Sequence, residues 1–144
     1  DEAAQGNEAA QRNEALPVPG EHAQTYAVDW EALRRRFGGK QAFIDKLVSS
    51  ALRSYADVPQ RLRNAAATRD FTDIVFVAHG IRGTSANLYA NDVHRLARET
   101  EAHARDRAPA ALRLAQRLAG DVEALLAELN RSNEVSGDRE RQGA

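Results

Sequence analysis

The 144-residue sequence has no cysteine and no methionine, and its aromatic residues are one tryptophan, three tyrosines and four phenylalanines. Without cysteine, disulfides and thiol chemistry are excluded. The scarcity of aromatic and β-branched residues, with no window that alternates with period two, argues against a sheet. No apolar run approaches the ~18 residues of a membrane span, and no basic stretch followed by an apolar one marks a secretory leader, so the chain reads as cytoplasmic without direct membrane contact. A formal net charge of −1 supplies no global field for nucleic acid, although all but two of the twenty basic residues are Arg. No nucleic-acid partner is expected. The missing methionine and the start at Asp1 read as a piece of a longer protein.

What is present is alanine, leucine, arginine and glutamate in the mix of a helical globular domain. Residues 1–26 open with "DEAAQGNEAAQRNEALPVPGEHAQT", which has almost no large apolar side chain and reads as a disordered or semi-rigid linker. Residues 133–144, "NEVSGDRERQGA", have the same polar character and read as a C-terminal tail. Between them, 27–132 form the domain.

Six helices are expected there. The first runs from Asp29 as N-cap through Trp30, Leu33 and Phe37 to Gly38-Gly39. The second covers about Lys40 to Tyr55, with Phe43, Leu47 and Leu52 in the core. Pro59 opens a third through Leu62 to about Thr68. Asp70 caps a fourth with Phe71, Ile74, Val75, Ala78, Ile81, Ser85 and Leu88 on one stripe. A fifth begins at Asn91 or Asp92 and buries Val93, Leu96, Ala97, Thr100 and Ala104. Pro109 opens a sixth through Leu112, Leu118, Val122, Leu125 and Leu129. The expected fold is all-α, an antiparallel four-helix bundle with additional short N-terminal helices.

The fourth helix carries "VFVAHGIRGTSANLYA", in which a mid-helix glycine follows a histidine by four residues. Such a glycine costs ~1 kcal/mol relative to alanine, so its missing side chain calls for a reason. With about 3.6 residues per turn, His79 falls one position round from the apolar stripe, at the edge of the core, and Arg82 and Gly83 lie over the next turn of its face. Gly83 would leave the imidazole open to an incoming domain, and Arg82 would bring a cation to an anion on the ring. If the fourth and fifth helices form a hairpin turning near Ala90, positions 79 and 101 are level. Glu101 would then fix the ring tautomer and leave the other nitrogen nucleophilic. The plainer alternatives are an inert core-edge histidine, a Glu101–Arg105 pair at i,i+4, and a glycine that serves close helix packing.

At these residues the sequence resembles the histidine phosphotransfer (HPt) family, whose signature is approximately Ala-His-x-Leu-Lys-Gly-Ser-[Ser/Ala]-x-x-[Leu/Ile/Val]-Gly-Ala. Ala78, His79, Gly83, Ser85, Leu88 and Ala90 match it, and Ile81, Arg82 and Thr84 are conservative variants. The opening "VDWEALRRRFGGKQAFIDKLVSSAL" is also similar to the family, and the likeness spans roughly Val28 to Arg131. The resemblance implies that His79 is the phosphoryl acceptor, Arg82 the cation near it where Lys is usual, Gly83 the residue that keeps access open, and Glu101 the partner of the ring nitrogen. Phe76 and Ala86 are expected on the partner surface. Tyr89 departs from the family by standing where many members have Gly.

The implied partners are receiver domains, one of the same hybrid sensor kinase and one of a cognate response regulator, with Mg on the receiver and no cofactor on this chain. The expected setting is the C-terminal module of a hybrid two-component sensor histidine kinase, monomeric as an isolated domain. A free-standing phosphotransfer protein is the runner-up. A kinase dimerisation helix would carry an acidic residue directly after the histidine and a proline five residues after it, where Gly80 and Thr84 stand, and no Gly-rich ATP lid is visible. A di-metal bundle built on His79, His94, His103, Glu99 and Glu101 lacks any Glu-x-x-His pair, so no metal site is expected. His94 and His103 read as solvated. An interaction bundle with an inert His79 is the remaining alternative.

Overall fold

The computed structural model describes residues 26–143, with side chains through residue 137. Except for Tyr26, the expected linker lies outside the described residues. Six α-helices follow in order: α1 Trp30–Arg36, α2 Gln41–Tyr55, α3 Val58–Ala67, α4 Phe71–Asn87, α5 Asn91–Arg105 and α6 Ala110–Gly143. Among the described residues there is no strand, and no helix is long and apolar enough to cross a membrane.

Local chemistry explains where the helices start. The Asp29 carboxylate accepts the Ala32 N–H at 3.1 Å and the Asp70 carboxylate accepts the Asp73 N–H at 3.0 Å, each satisfying a donor that the first turn leaves unpaired. Pro59 sits in the first turn of α3, where its missing N–H costs nothing.

Four of the ends share one device. Gly38, Arg69, Tyr89 and Arg107 take φ values of 59°, 55°, 57° and 54° just past α1, α3, α4 and α5. In each case the next residue's N–H returns to a carbonyl in the last turn: Gly39 to Arg34 at 2.9 Å, Asp70 to Ala65 at 2.8 Å, Ala90 to Ser85 at 2.9 Å and Ala108 to His103 at 3.0 Å. These are Schellman caps, and three of the four place a side chain in the left-handed region that favours glycine.

The α4–α5 hairpin is the most extensive pairing. α6 lies against α2, α3, α4 and α5, and α3 also packs on α4. Alanines at 97, 104, 111, 115 and 119 are wholly or almost wholly buried, which lets α5 and α6 approach closely around Leu118, Val122, Leu125 and Leu129. A bidentate Arg63–Glu123 pair, both bonds 2.8 Å, fastens α3 to α6 at the surface.

The core departs from the sequence expectation in specific places. α2 buries Ile44, Val48, Ala51 and Tyr55, whereas Phe43 is exposed and Leu47 and Leu52 are only partly covered. The buried face lies roughly a quarter-turn round the helix from the expected one, because apolar residues occur on both faces of α2. On α4, Val77 is buried and Val75 only partly so, and on α6 Leu112 is partly covered. The N-terminal additions are also unequal, since α1 is short but α2 has fifteen residues. Finally, α6 continues past Leu129 through nearly all of the expected polar tail, 133–144, about 50 Å in all. Its continuation is held on α2, where the buried Ser136 hydroxyl donates to Asp45 at 2.6 Å.

Candidate functional site

The tight turn at Leu88–Ala90 makes α4 and α5 antiparallel, and it puts His79 and Glu101 side by side. His79 Nδ1 lies 3.1 Å from Glu101 Oε2. The histidine side chain is 66% exposed, whereas the glutamate is 3% exposed. An ionised carboxylate only accepts, so Nδ1 carries the proton and donates it; in the neutral ring Nε2 then holds the lone pair. Nε2 has no hydrogen-bond partner among the described residues.

Two further donors converge on the same carboxylate. Arg82 Nη1 donates to Oε1 at 2.9 Å, and Arg105 Nη2 donates to Oε2, the oxygen that also accepts from His79. Burial pulls the Glu101 carboxyl upward and is the largest single influence. The hydrogen bonds from Arg82, Arg105 and His79, with the Arg82 charge, outweigh it together and bring the group from 4.5 down to about 2. The carboxylate is therefore ionised across the physiological range.

The backbone beneath the site is pinned from three directions. The Tyr55 hydroxyl on α2 donates to the Ile81 carbonyl at 3.2 Å, and burial, opposed by a hydrogen bond with Thr84, pushes its phenol up to about 12. Ser85 on α4 donates to the Ile81 carbonyl and, at 3.2 Å, to that of Arg82. From α5, His94 Nδ1 donates to the Arg82 carbonyl at 3.0 Å. These bonds fix the turn that presents Arg82 and Gly83.

An added Cβ at Gly83 would meet nothing within 4 Å, as would one at Gly80. Close helix packing is thus ruled out as the reason for Gly83. Beside His79, a groove of about 320 Å³ opens between α4 and the α2–α3 junction, lined by Tyr55, Val58, Phe76, Val77 and Ile81. Phe76 is 67% exposed, with the Arg61 guanidinium 5.2 Å above its ring. Ala86 is exposed but does not line this groove.

The sequence-derived trio of His79, Arg82 and Glu101 is therefore brought together. By spacing alone Arg105 is a simple i,i+4 partner of Glu101, and the structure joins it to the same carboxylate as the histidine. His94, expected to be solvated, is half-buried and structural; its spacing alone did not reveal the partner, which is a backbone carbonyl on another helix. Among the described residues no group of three or more His, Cys, Asp or Glu is placed to hold a metal ion. Glu99 lies apart from His79, in the α5–α6 groove with Asp92 and Asp121.

Comparison with known proteins gives one family. The family model for the Hpt domain matches residues 46–132, from within α2 to the middle of α6. No curated protein and no solved structure matches. The match spans more than half of the chain, and the chain belongs to the Hpt-domain family, whose work is histidine phosphotransfer in two-component signalling with receiver domains as partners.

Proposed function

We propose that His79 is the residue that carries the phosphoryl group, accepting it from the aspartyl phosphate of a receiver domain and passing it to the receiver of a response regulator. The observation that carries this reading is the exposed imidazole whose Nδ1 proton is held by Glu101 at 3.1 Å, which leaves Nε2 as the free nucleophile.

In the accepting direction the Nε2 lone pair forms the N–P bond as the P–O bond to the aspartate breaks, and the aspartate leaves as a carboxylate with the bonding electrons. The ring keeps its Nδ1 proton and becomes cationic beside Glu101. In the donating direction the same proton lets it leave as neutral imidazole. Such a transfer needs in-line placement and charge neutralisation more than covalent machinery. Arg82 supplies a cation, and the Mg ion belongs to the receiver. Open space at Gly83 supports an access role for that residue. Phe76 and the groove beside it form the docking surface, with Ala86 at its periphery.

The ring of contacts α3–α4–α5–α6 supports a four-helix bundle of the HPt type, to which α1 and α2 are added. We read the domain as the C-terminal, cytoplasmic module of a hybrid sensor histidine kinase, monomeric when isolated and without ATP-dependent kinase activity of its own.

The test is transfer from a labelled phosphorylated receiver domain to wild type and to His79→Gln. Acid-labile, base-stable label on wild type and none on the variant is expected. Absence of transfer to wild type from several receivers would leave a bundle that binds partners with an inert His79.

A further inference from the structure

In the free domain, the Arg82 and Arg105 guanidiniums are both bound to Glu101, the carboxylate that also holds His79. The members of this network differ in freedom. Glu101 is 3% exposed and fixed in the seam, while Arg82 and Arg105 are 39% and 59% exposed on long side chains. The arginines are the parts that can move.

Their placement is also not equivalent. Arg82 stands one turn beyond His79 on α4. Because α5 runs the other way, Arg105, one turn beyond Glu101, lies on the opposite side of the histidine along the seam. The imidazole is bracketed by two cations, and the Arg105 nitrogen is no more than two hydrogen-bond lengths from Nδ1, since both donate to Oε2. An exposed i,i+4 pair would stabilise the helix by only ~0.3–0.5 kcal/mol and would need no buried acceptor. A phosphoryl group on Nε2 brings an anion of nearly two charges to within reach of both arginines and next to a carboxylate that stays ionised. The phosphoryl oxygens and Glu101 then compete for the same donors.

Resting on the reading of His79 given above, we propose that Arg105 is a second phosphoryl-binding cation beside Arg82. Glu101, by competing for both, sets how far phosphate accumulates on the domain. Glu101 then has two opposed effects: it orients the nucleophile, and it holds back the cations that would stabilise the phosphorylated state. Arg105 acts only once the phosphoryl group is in place, by exchanging one oxygen acceptor for another.

The experiment is the equilibrium distribution of label between the domain and a phosphorylated receiver, measured for wild type, Arg105→Gln, Arg105→Lys and Glu101→Gln, with helicity checked by circular dichroism. Loss of one charge-assisted contact is expected to lower the domain-to-receiver ratio roughly tenfold in Arg105→Gln. Arg105→Lys should recover most of it, and Glu101→Gln should raise the ratio above wild type even where it slows the approach to equilibrium. Wild type that takes label while Arg105→Gln stays within about twofold of it, or while Glu101→Gln fails to raise the ratio, overturns the proposal alone. Wild type that takes no label on His79 overturns the underlying reading first. If Arg105→Gln loses helicity, the Glu101→Gln ratio decides.

Discussion

At Glu101 one carboxylate accepts from an imidazole and two guanidiniums while almost fully out of water. A buried carboxylate with these partners is tolerable only when ionised, and the consequence is a dependence of stability on acid. Its carboxyl titrates at about 2 in the fold against 4.5 unperturbed, so the unfolded chain binds more protons throughout that interval. The contribution of Glu101 is fully present above pH 4.5 and is lost as the pH falls toward 2. Chemical denaturation between those limits should therefore show a steeper loss for wild type than for Glu101→Gln, and identical slopes would mean that the carboxyl is not held down by its neighbours. The pairing of His79 with Glu101 was legible from the numbering alone, since the two are equidistant from the turn. The sharing of Glu101 with both arginines was not, because helical periodicity gives the face of a side chain but not the path of a long flexible one.

At the scale of the elements, the hairpin that builds the site depends on its turn. Tyr89 occupies the left-handed region at φ 57°, where the HPt pattern commonly has Gly, and its carbonyl accepts the Asp29 N–H at 3.0 Å. A Cβ in that conformation costs roughly 1 kcal/mol. The side chain repays part of this by packing on the core, as do Arg69 and Arg107, whose guanidiniums lie 5.8 and 5.0 Å from the Phe71 ring centre. Truncation removes the packing equally in two variants that differ only in backbone freedom. Tyr89→Gly should therefore be more stable than Tyr89→Ala by about 1 kcal/mol in denaturant titration, and equal midpoints would show that the turn relaxes away from the left-handed region. The helix starts were readable because aspartate and proline act locally. The three non-glycine caps were hidden because only the tertiary fold forces an ordinary residue to φ above zero.

Across the whole molecule, the segment before α1 is fastened to a helix about a hundred residues away. The largely buried Glu128 of α6 accepts the Ala27 N–H at 2.7 Å, the Val28 N–H at 3.0 Å and the Trp30 indole N–H at 2.9 Å. Removing the carboxylate strands donors that burial separates from water, at a cost of about 1–3 kcal/mol. Glu128→Ala should lower the melting temperature and shift the emission of Trp30, the single tryptophan, toward that of an exposed indole. Unchanged emission would mean that α1 is held by its apolar contacts alone.

The sequence by itself determined the class of fold and the pairing of His79 with Glu101 across the α4–α5 seam. Caps, prolines and the spacing of apolar residues act within a few turns, so the helices from Asp29 to the sixth could be placed, and the signature around His79 could be read as it stands. Tertiary structure decided the rest. It selected Ile44 and Val48 over Phe43 and Leu47 as the inner face of α2, since two apolar faces compete on that helix and only a packed neighbour chooses between them. It carried α6 through a stretch whose polar composition gives no local reason to be helical, with Ser136 meeting Asp45 on α2. It also gave Glu101 and Glu128 their separate tasks, one holding an imidazole and two guanidiniums and the other an N-terminal segment. Two glutamates of the same intrinsic chemistry differ only in the donors that distant parts of the chain bring to them.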